Sequence, residues 1–293
     1  MEMMKAITSS SMRKKHITEK FFYFLLLFIT MAVVAFVLGI IIYLIVKGGG
    51  AINWEFLSQK PREGMKAGGI FPAIIGTIYL IIGTIIISLP IGIFSAIYLN
   101  EYAARNKFTR IIRLSIVNMS GVPSVVFGLF GLAFFVLLLK FGKSILAGSL
   151  TLAFLILPVI ITATEEALKA VPGTYRQASM ALGASKWQTI IKIILPQALP
   201  GIVTGAVLGI GRAAGETAPI MFTVAAFSQP NPPHSIFSQV MALPYHLYAL
   251  ATQIANSPED KQWGTALVLL AIVLFFAIIG TSIRTRARLR KKE

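Results

Sequence analysis

The chain has 293 residues, with 27 Lys and Arg against 11 Asp and Glu, and a formal net charge of +16. Hydrophobic residues make up 56% of it and charged residues only 13%, where a soluble domain carries about 25% charged residues. This composition excludes a soluble cytosolic enzyme, and the absence of cysteine excludes disulfides, iron–sulfur clusters and thiol nucleophiles.

Six long apolar segments predict an all-α integral membrane protein with six transmembrane helices. A helix needs roughly 20 apolar residues to cross the hydrocarbon core of a bilayer. The segments are 21–46, 70–99, 114–139, 144–164, 197–227 and 264–283. The first follows a basic stretch, 1–20, and is longer than the core of a signal peptide, so we expect a retained helix.

The basic residues are divided unevenly between the two sides of the membrane. If the N-terminus is cytoplasmic, the cytoplasmic segments carry 19 Lys and Arg and the external segments carry 7. The positive-inside rule therefore predicts that both termini are cytoplasmic and that residues 47–69 lie outside. The basic tail, 284–293, directly follows an apolar helix, which favours contact with anionic membrane lipid over nucleic acid.

No pattern in the chain indicates an enzyme. Gly142, Lys143 and Ser144 resemble the end of a phosphate-binding loop, but the first glycine of that motif would fall on Leu137. The three histidines lack the spacing of metal ligands. We expect no catalytic residue, no metal and no cofactor.

Between the fourth and fifth predicted spans lies a cytoplasmic segment, residues 165–196. Residues 175–182 are good helix formers, Gly183 can end a helix in a left-handed conformation, and 186–194 can begin a second helix. A helix, a turn and a helix projecting from a membrane protein could dock a partner. The alternative is an amphipathic loop held against lipid.

The fifth predicted span contains two charged residues, Arg212 and Glu216, followed by Thr217. An ionisable side chain inside a membrane is costly, so such residues face protein or water and are functional candidates. Because they are four residues apart in the chain, both are expected on one helix face, where they can form an ion pair. The pair either positions helices or controls an anion path, since the guanidinium matches tetrahedral oxyanions.

The cytoplasmic segment resembles the EAA loop of ABC-transporter permeases, whose pattern is E-A-A, three residues, Gly, nine residues, then I-x-L-P. Gly183 is followed at that distance by Ile193, and then by Leu195 and Pro196, while the E-A-A falls on Gln177, Ala178 and Ser179. Gln therefore replaces the usual Glu. The resemblance covers roughly 70–283 and implies the type I permease fold, with a core at 70–283. It implies that these residues couple the chain to a separate ATPase: Gln177, Ala178, Gly183, Ala184, Ser185, Trp187, Leu195 and Pro196.

The residues from Arg212 to Ile220 closely resemble the phosphate-specific branch of these permeases, the PstA family. The resemblance implies import of inorganic phosphate at a prokaryotic cell (inner) membrane, with Arg212, Glu216 and Thr217 on the substrate path. It implies a heterodimer with a PstC-like permease, a dimer of PstB-like ATPases that bind the ATP, and an external PstS-like phosphate-binding protein. The alternatives are an ABC permease for sulfate or molybdate and an ion-coupled secondary anion transporter.

Overall fold

The structure is a computed structural model that describes residues 2–104, 106–229 and 231–289, without the side chains of 2–17 and 288. Within these residues, five helical segments are long and apolar enough to cross a membrane, and a sixth span results if one bent pair of helices is counted. The segments are Thr18–Ala51, Phe71–Tyr102, Ile145–Lys169, Lys186–Gly215 and Glu259–Ala287, and the bent pair is Lys107–Met119 with Ser124–Leu138. The all-α class predicted from the sequence is confirmed.

The helices are numbered in chain order. They are α1 (Glu2–Gly48), α2 (Trp54–Ser58), α3 (Phe71–Ile97), α4 (Lys107–Met119), α5 (Ser124–Gly131), α6 (Ile145–Lys169), α7 (Gly173–Ala181), α8 (Lys186–Thr189), α9 (Leu195–Gly215), α10 (Ala218–Thr223), α11 (Leu243–Thr252) and α12 (Glu259–Leu289). Wider π-helical turns extend α3 over Tyr98–Tyr102 and α5 over Leu132–Leu138, and one joins α8 to α9 over Ile190–Ile194. Two short strands, β1 (Pro61–Arg62) and β2 (Ala67–Gly68), pair antiparallel between α2 and α3.

Helices α3, α6 and α9 form the centre of the bundle. The α6–α9 contact is close because α9 presents glycines to small residues of α6: a Cβ added at Gly205 would lie 2.4 Å from the Cβ of Ala163. At Gly201 the corresponding distance, to the Cβ of Ala167, is 2.5 Å. Small residues four apart let two backbones approach in a membrane, so this glycine series identifies α6 as the partner of α9.

The third predicted span, 114–139, is not a straight helix. It is divided into α4 and α5, whose axes differ by 104° across residues 120–123. Pro123 precedes the first residue of α5 and has extended backbone angles (φ −56°, ψ 140°), which no helix can continue through. The prediction of a single continuous helix was wrong at this break.

The fifth predicted span, 197–227, also ends earlier than expected. Helix α9 ends at Gly215, because Glu216 takes an extended conformation (φ −73°, ψ 129°), and the short α10 begins two residues later with Pro219 in its first turn. Proline suits a helix start because its missing N–H has no intrahelical partner there. The span is therefore broken beside its two charged residues.

Helix α1 lies apart from this bundle. Its side chains from Thr18 to Ile40 are exposed, and its contact with α12 is near its C-terminal end, where the rings of Tyr43 and Trp263 meet edge to face at 5.4 Å. Gly48 then packs directly on the backbone of Trp263. The apolar side chains of α1 from Phe21 to Ile40 are thus not covered by the rest of the described chain.

Candidate functional site

Helices α7 and α8 form a helix–turn–helix arm, residues 173–189, beyond the end of α6. Gly183 lies between them with φ +83°, in the left-handed region that favours glycine, as the sequence predicted. Ser185 begins α8 with a capping box, in which its side chain accepts from Gln188 N–H and the Gln188 side chain accepts from Ser185 N–H. The hydroxyls of Ser179 and Thr189 lie 2.9 Å apart and join the two helices. The arm is therefore a defined structure rather than a loose loop.

The arm exposes several apolar side chains. Leu182, at the turn, is 90% exposed, and Trp187 and Met180 are about half exposed. Gln177 and Ala178 are exposed as well, and Ala184 is half-buried. These residues lie together on a projecting feature, which is the geometry of a docking surface.

Leu195 and Pro196 are not part of this surface. The π turn Ile190–Ile194 separates them from α8, and they form the first turn of α9. Leu195 packs against the buried cluster around Leu168 and Ile194, whereas Pro196 lines a groove between α9 and α12. The structure therefore separates these two predicted coupling residues from the other six.

Arg212 and Glu216 form an ion pair, with Arg212 Nε 3.5 Å from Glu216 Oε1. The two side chains pair as their spacing predicts, but Glu216 is not inside the helix: it directly follows the last residue of α9 and reaches back to Arg212. Their side chains are 33% and 15% exposed. The Arg212 guanidinium makes no other ion pair or hydrogen bond with the residues that the structure describes. Most of its N–H donors therefore have no acceptor among these residues.

The surface of α9 that carries Arg212 is open. A Cβ added at Gly211 or Gly215 would meet nothing within 4 Å, and Leu208, one turn before Arg212, is 61% exposed. On its other side, Glu216 borders a small cavity of about 10 Å³, shared with Thr77 and Pro244, which has room for about one water molecule. Thr217 is half-buried in the break between α9 and α10.

The structure adds a polar cluster that the sequence reasoning missed. Glu101, in the turn after α3, pairs with Arg176 of the arm at 2.8 Å, and Arg113 of α4 pairs with Glu165 of α6 at 2.8 Å. The partners of the first pair are 75 residues apart in the chain. No spacing rule joins residues so distant, although a lone Glu at the end of an apolar span could have been taken as a candidate.

Comparison with known proteins places these features in context. Residues 88–289 match the family described as binding-protein-dependent transport system inner membrane component. The chain is 33% identical over 256 residues to the probable ABC transporter permease protein YqgI of Bacillus subtilis, covering 83% of this chain and 87% of that protein. It is 36% identical over 227 residues to the phosphate transport system permease protein PstA 1 of Mycobacterium tuberculosis, covering 77% and 73% of the two chains.

Solved structures share the fold at low sequence identity. A bacterial alginate ABC transporter in complex with its alginate-bound periplasmic protein superposes with a TM-score of 0.65 and 15% identity, covering 90% of this chain and 93% of that chain. The MetNI methionine ABC transporter, in an inward-facing form, superposes with a TM-score of 0.56 and 19% identity. The match covers 75% of this chain and 94% of that chain. The architecture of this chain is therefore that of type I ABC permeases.

Proposed function

We propose that this chain, which belongs to the family of binding-protein-dependent transport system inner membrane components, is the transmembrane permease subunit of an ATP-driven importer of inorganic phosphate. The chain is a multi-pass inner membrane protein. The observation that carries the choice of substrate is the similarity to phosphate permeases, which reaches 36% identity over 77% of the chain for the Mycobacterium tuberculosis protein and 31% over 84% for that of Xylella fastidiosa.

The Arg212 region supports an anion as the substrate. Its guanidinium has unclaimed N–H donors on the open surface of α9, and a planar fork of donors matches the oxygens of a tetrahedral anion. Glu216 neutralises the guanidinium when no anion is present. The cavity behind Glu216 is too small for phosphate, so the anion path would run along the open surface of α9, closed by a second permease subunit.

The exposed surfaces leave room for the partners that the resemblance to phosphate permeases implies. The second permease is PstC-like and covers the open surface of α9. A dimer of PstB-like ATPases binds ATP and contacts the arm. An external PstS-like protein delivers phosphate. The exposed apolar residues at the turn of the arm suit a groove in the ATPase. The chain itself then holds no cofactor and hydrolyses no ATP.

The test is transport by the assembled complex. The chain, with its permease, ATPase and binding-protein partners, is reconstituted in liposomes, and uptake of radiolabelled phosphate is measured with and without ATP. We expect ATP-dependent uptake that excess unlabelled phosphate suppresses and that sulfate and molybdate leave unchanged. Suppression by sulfate or molybdate alone would favour the other oxyanion permeases, and uptake driven by an ion gradient without ATP would favour a secondary transporter.

A further inference from the structure

Side chains of the arm bind the turn that follows α3. Arg176, in the middle of α7, places Nε 3.2 Å and Nη2 2.8 Å from Glu101 Oε1. The same guanidinium donates from Nη1 to the carbonyl of Val171 at 2.9 Å and from Nη2 to that of Leu168 at 3.0 Å. One side chain thus joins the arm, the C-terminal end of α6 and the turn that follows α3.

The second helix of the arm reaches the same turn. Lys186, the first residue of α8, donates from Nζ to the backbone carbonyl of Glu101 and lies over the ring of Tyr102, 4.6 Å from its centroid. Asn100 donates to the Glu101 carboxylate at 2.8 Å and holds it in place. Both helices of the arm therefore hold the turn Tyr98–Tyr102.

The Glu101–Arg176 pair is shielded from solvent. The Glu101 side chain is 9% exposed and that of Arg176 is 21% exposed, unlike the nearby surface pair Lys169–Glu166, at 43% and 66%. An exposed ion pair contributes little to the stability of a protein. Removal of one partner from a shielded pair is costly, because the other partner stays as a shielded charge without a counter-charge. The two pairs have nearly equal N–O distances, 2.8 and 2.9 Å, so burial and position distinguish them.

We infer that the Glu101–Arg176 pair makes the arm and the second span move as one body, so that displacement of the arm by the ATPase is transmitted to α3 and to the end of α6. This inference rests on the proposed function, in which the arm receives the ATPase. Arg176 and Glu101 are positioning residues here: neither contacts the anion. Without the pair, the arm can still dock, the ATPase can still turn over and the arm stays joined to α9 through the π turn, but much less of its motion reaches α3 and the end of α6.

The first experiment separates transport from ATP turnover in the complete reconstituted complex. Glu101→Gln and Arg176→Gln should leave ATPase co-purification intact and ATP turnover within about twofold of the unmodified complex, while phosphate uptake per ATP falls about tenfold or more. Arg176→Lys keeps the charge but loses the fork of donors, so it should recover part of the uptake that Arg176→Gln loses. The matched control is Glu166→Gln, which removes the same charge from an equally short but exposed pair and should change neither quantity.

A distance measurement tests the mechanical link without reference to phosphate. The chain contains no cysteine, so Phe94→Cys on α3 and Thr174→Cys on α7, both exposed, give one pair of spin labels. In the complex, with Glu101 and Arg176 intact, we expect a single narrow distribution of distances between the two labels. This distribution should not change when the complex is trapped with ATP. Glu101→Gln should broaden it even without nucleotide.

Three outcomes would overturn the inference. One is a narrow, unchanged distance in Glu101→Gln together with normal uptake per ATP. A second is loss of ATPase co-purification in both Gln variants, which would reduce the pair to a structural contact. The third is an equal effect of Glu166→Gln. Failure of the unmodified complex to take up phosphate, with the label distances as expected, would instead refute the proposed substrate and leave the link in place.

Discussion

Arg212 and Glu216 face two explanations that a double substitution can distinguish. An Arg near the centre of a bilayer costs about 2.5–3.5 kcal/mol on the lenient insertion scale, so the pair is retained for a reason. If the pair only positions helices, replacing both partners with apolar residues should cost little stability. The reason is that the attraction within a buried pair often only just offsets the free energy of desolvating its two charges. The 3.5 Å distance and the unclaimed donors of Arg212 argue against a purely structural pair.

We therefore predict that Arg212→Leu, Glu216→Leu and the double variant all assemble with the ATPase and all lose phosphate uptake, by at least about tenfold. The reason is that each removes either the anion's donor or the carboxylate that balances it. Uptake by the reconstituted complex and ATPase co-purification are the two measurements. Recovery of uptake in the double variant would show that the pair is structural.

His246 gives the chain a pH-dependent stability. Burial, with a smaller effect of the nearby Lys261, lowers its pKa from 6.5 to about 4, and its Nδ1 has no hydrogen-bond partner among the described residues. The unfolded chain therefore binds this proton at a higher pH than the folded chain, so stability falls as the pH drops from about 6.5 to 4, by roughly 3 kcal/mol in all. Thermal unfolding in detergent should show this loss, and His246→Leu should lack it. Parallel pH profiles for the two proteins would contradict this prediction.

The sequence predicted some side-chain contacts and not others. It gave Arg212 and Glu216 as partners because they are four residues apart, and Gly183 as a left-handed residue because it follows a run of helix formers. It could not give Glu101 as the partner of Arg176, since that contact depends on how α3 and α7 pack after folding. Spacing in the chain indicates which residues about one turn apart can meet, whereas contacts between distant residues depend on how the helices pack.

The close contact of α9 with α6 depends on its glycines. We expect Gly205→Ala to push the two helices apart and to destabilise the protein by about 1–3 kcal/mol, because the new methyl group would overlap Ala163. The matched control is Gly211→Ala in the same helix, which meets open space and should stabilise α9 by up to about 1 kcal/mol through helix propensity. Thermal unfolding of the purified chain measures both changes, and equal midpoints would contradict the packing.

The turn of the arm depends on Gly183 for a different reason. The space around it is open, so a larger side chain is opposed only by its positive φ, which costs a β-branched residue about 1–3 kcal/mol. Gly183→Val should leave the chain inserted in the membrane but abolish transport and ATPase co-purification. Gly173→Val, in the same arm with open space and no positive φ, should retain both. If Gly183→Val retained both transport and ATPase co-purification, the arm would not be part of the docking interface.

Helix existence was easier to predict than helix continuity. The apolar segments gave six spans, yet two of them are interrupted, at residues 120–123 and at Glu216 and Thr217. Hydropathy averages over a window and cannot detect a break that stays apolar, as Gly121, Val122 and Pro123 do. Such interruptions are tolerated at membrane depth only where neighbouring protein or a water-filled path satisfies the freed backbone groups. We therefore expect protein or water, rather than lipid, to cover both breaks.

The distribution of charge over the whole chain sets its expected orientation. The arm, the Glu101–Arg176 pair and the Arg113–Glu165 pair lie at one end of the bundle, and the loops assigned to that end hold most of the Lys and Arg. The β1–β2 hairpin and α11 lie at the other end, where Lys261 donates to the carbonyl of Gly68. Because cytoplasmic loops carry the excess of basic residues, the arm end should face the cytoplasm, where ATP is available.

We predict that Ala255→Cys reacts with a membrane-impermeant thiol reagent added to intact cells and that Thr285→Cys does not. Both residues are exposed, Ala255 between α11 and α12 and Thr285 near the end of α12, and no other cysteine competes. After the cells are permeabilised, Thr285→Cys should react as readily as Ala255→Cys, which controls for local accessibility. Reaction of Thr285→Cys alone in intact cells would invert the orientation, place the arm outside the cell and leave its exposed apolar residues without access to an ATPase.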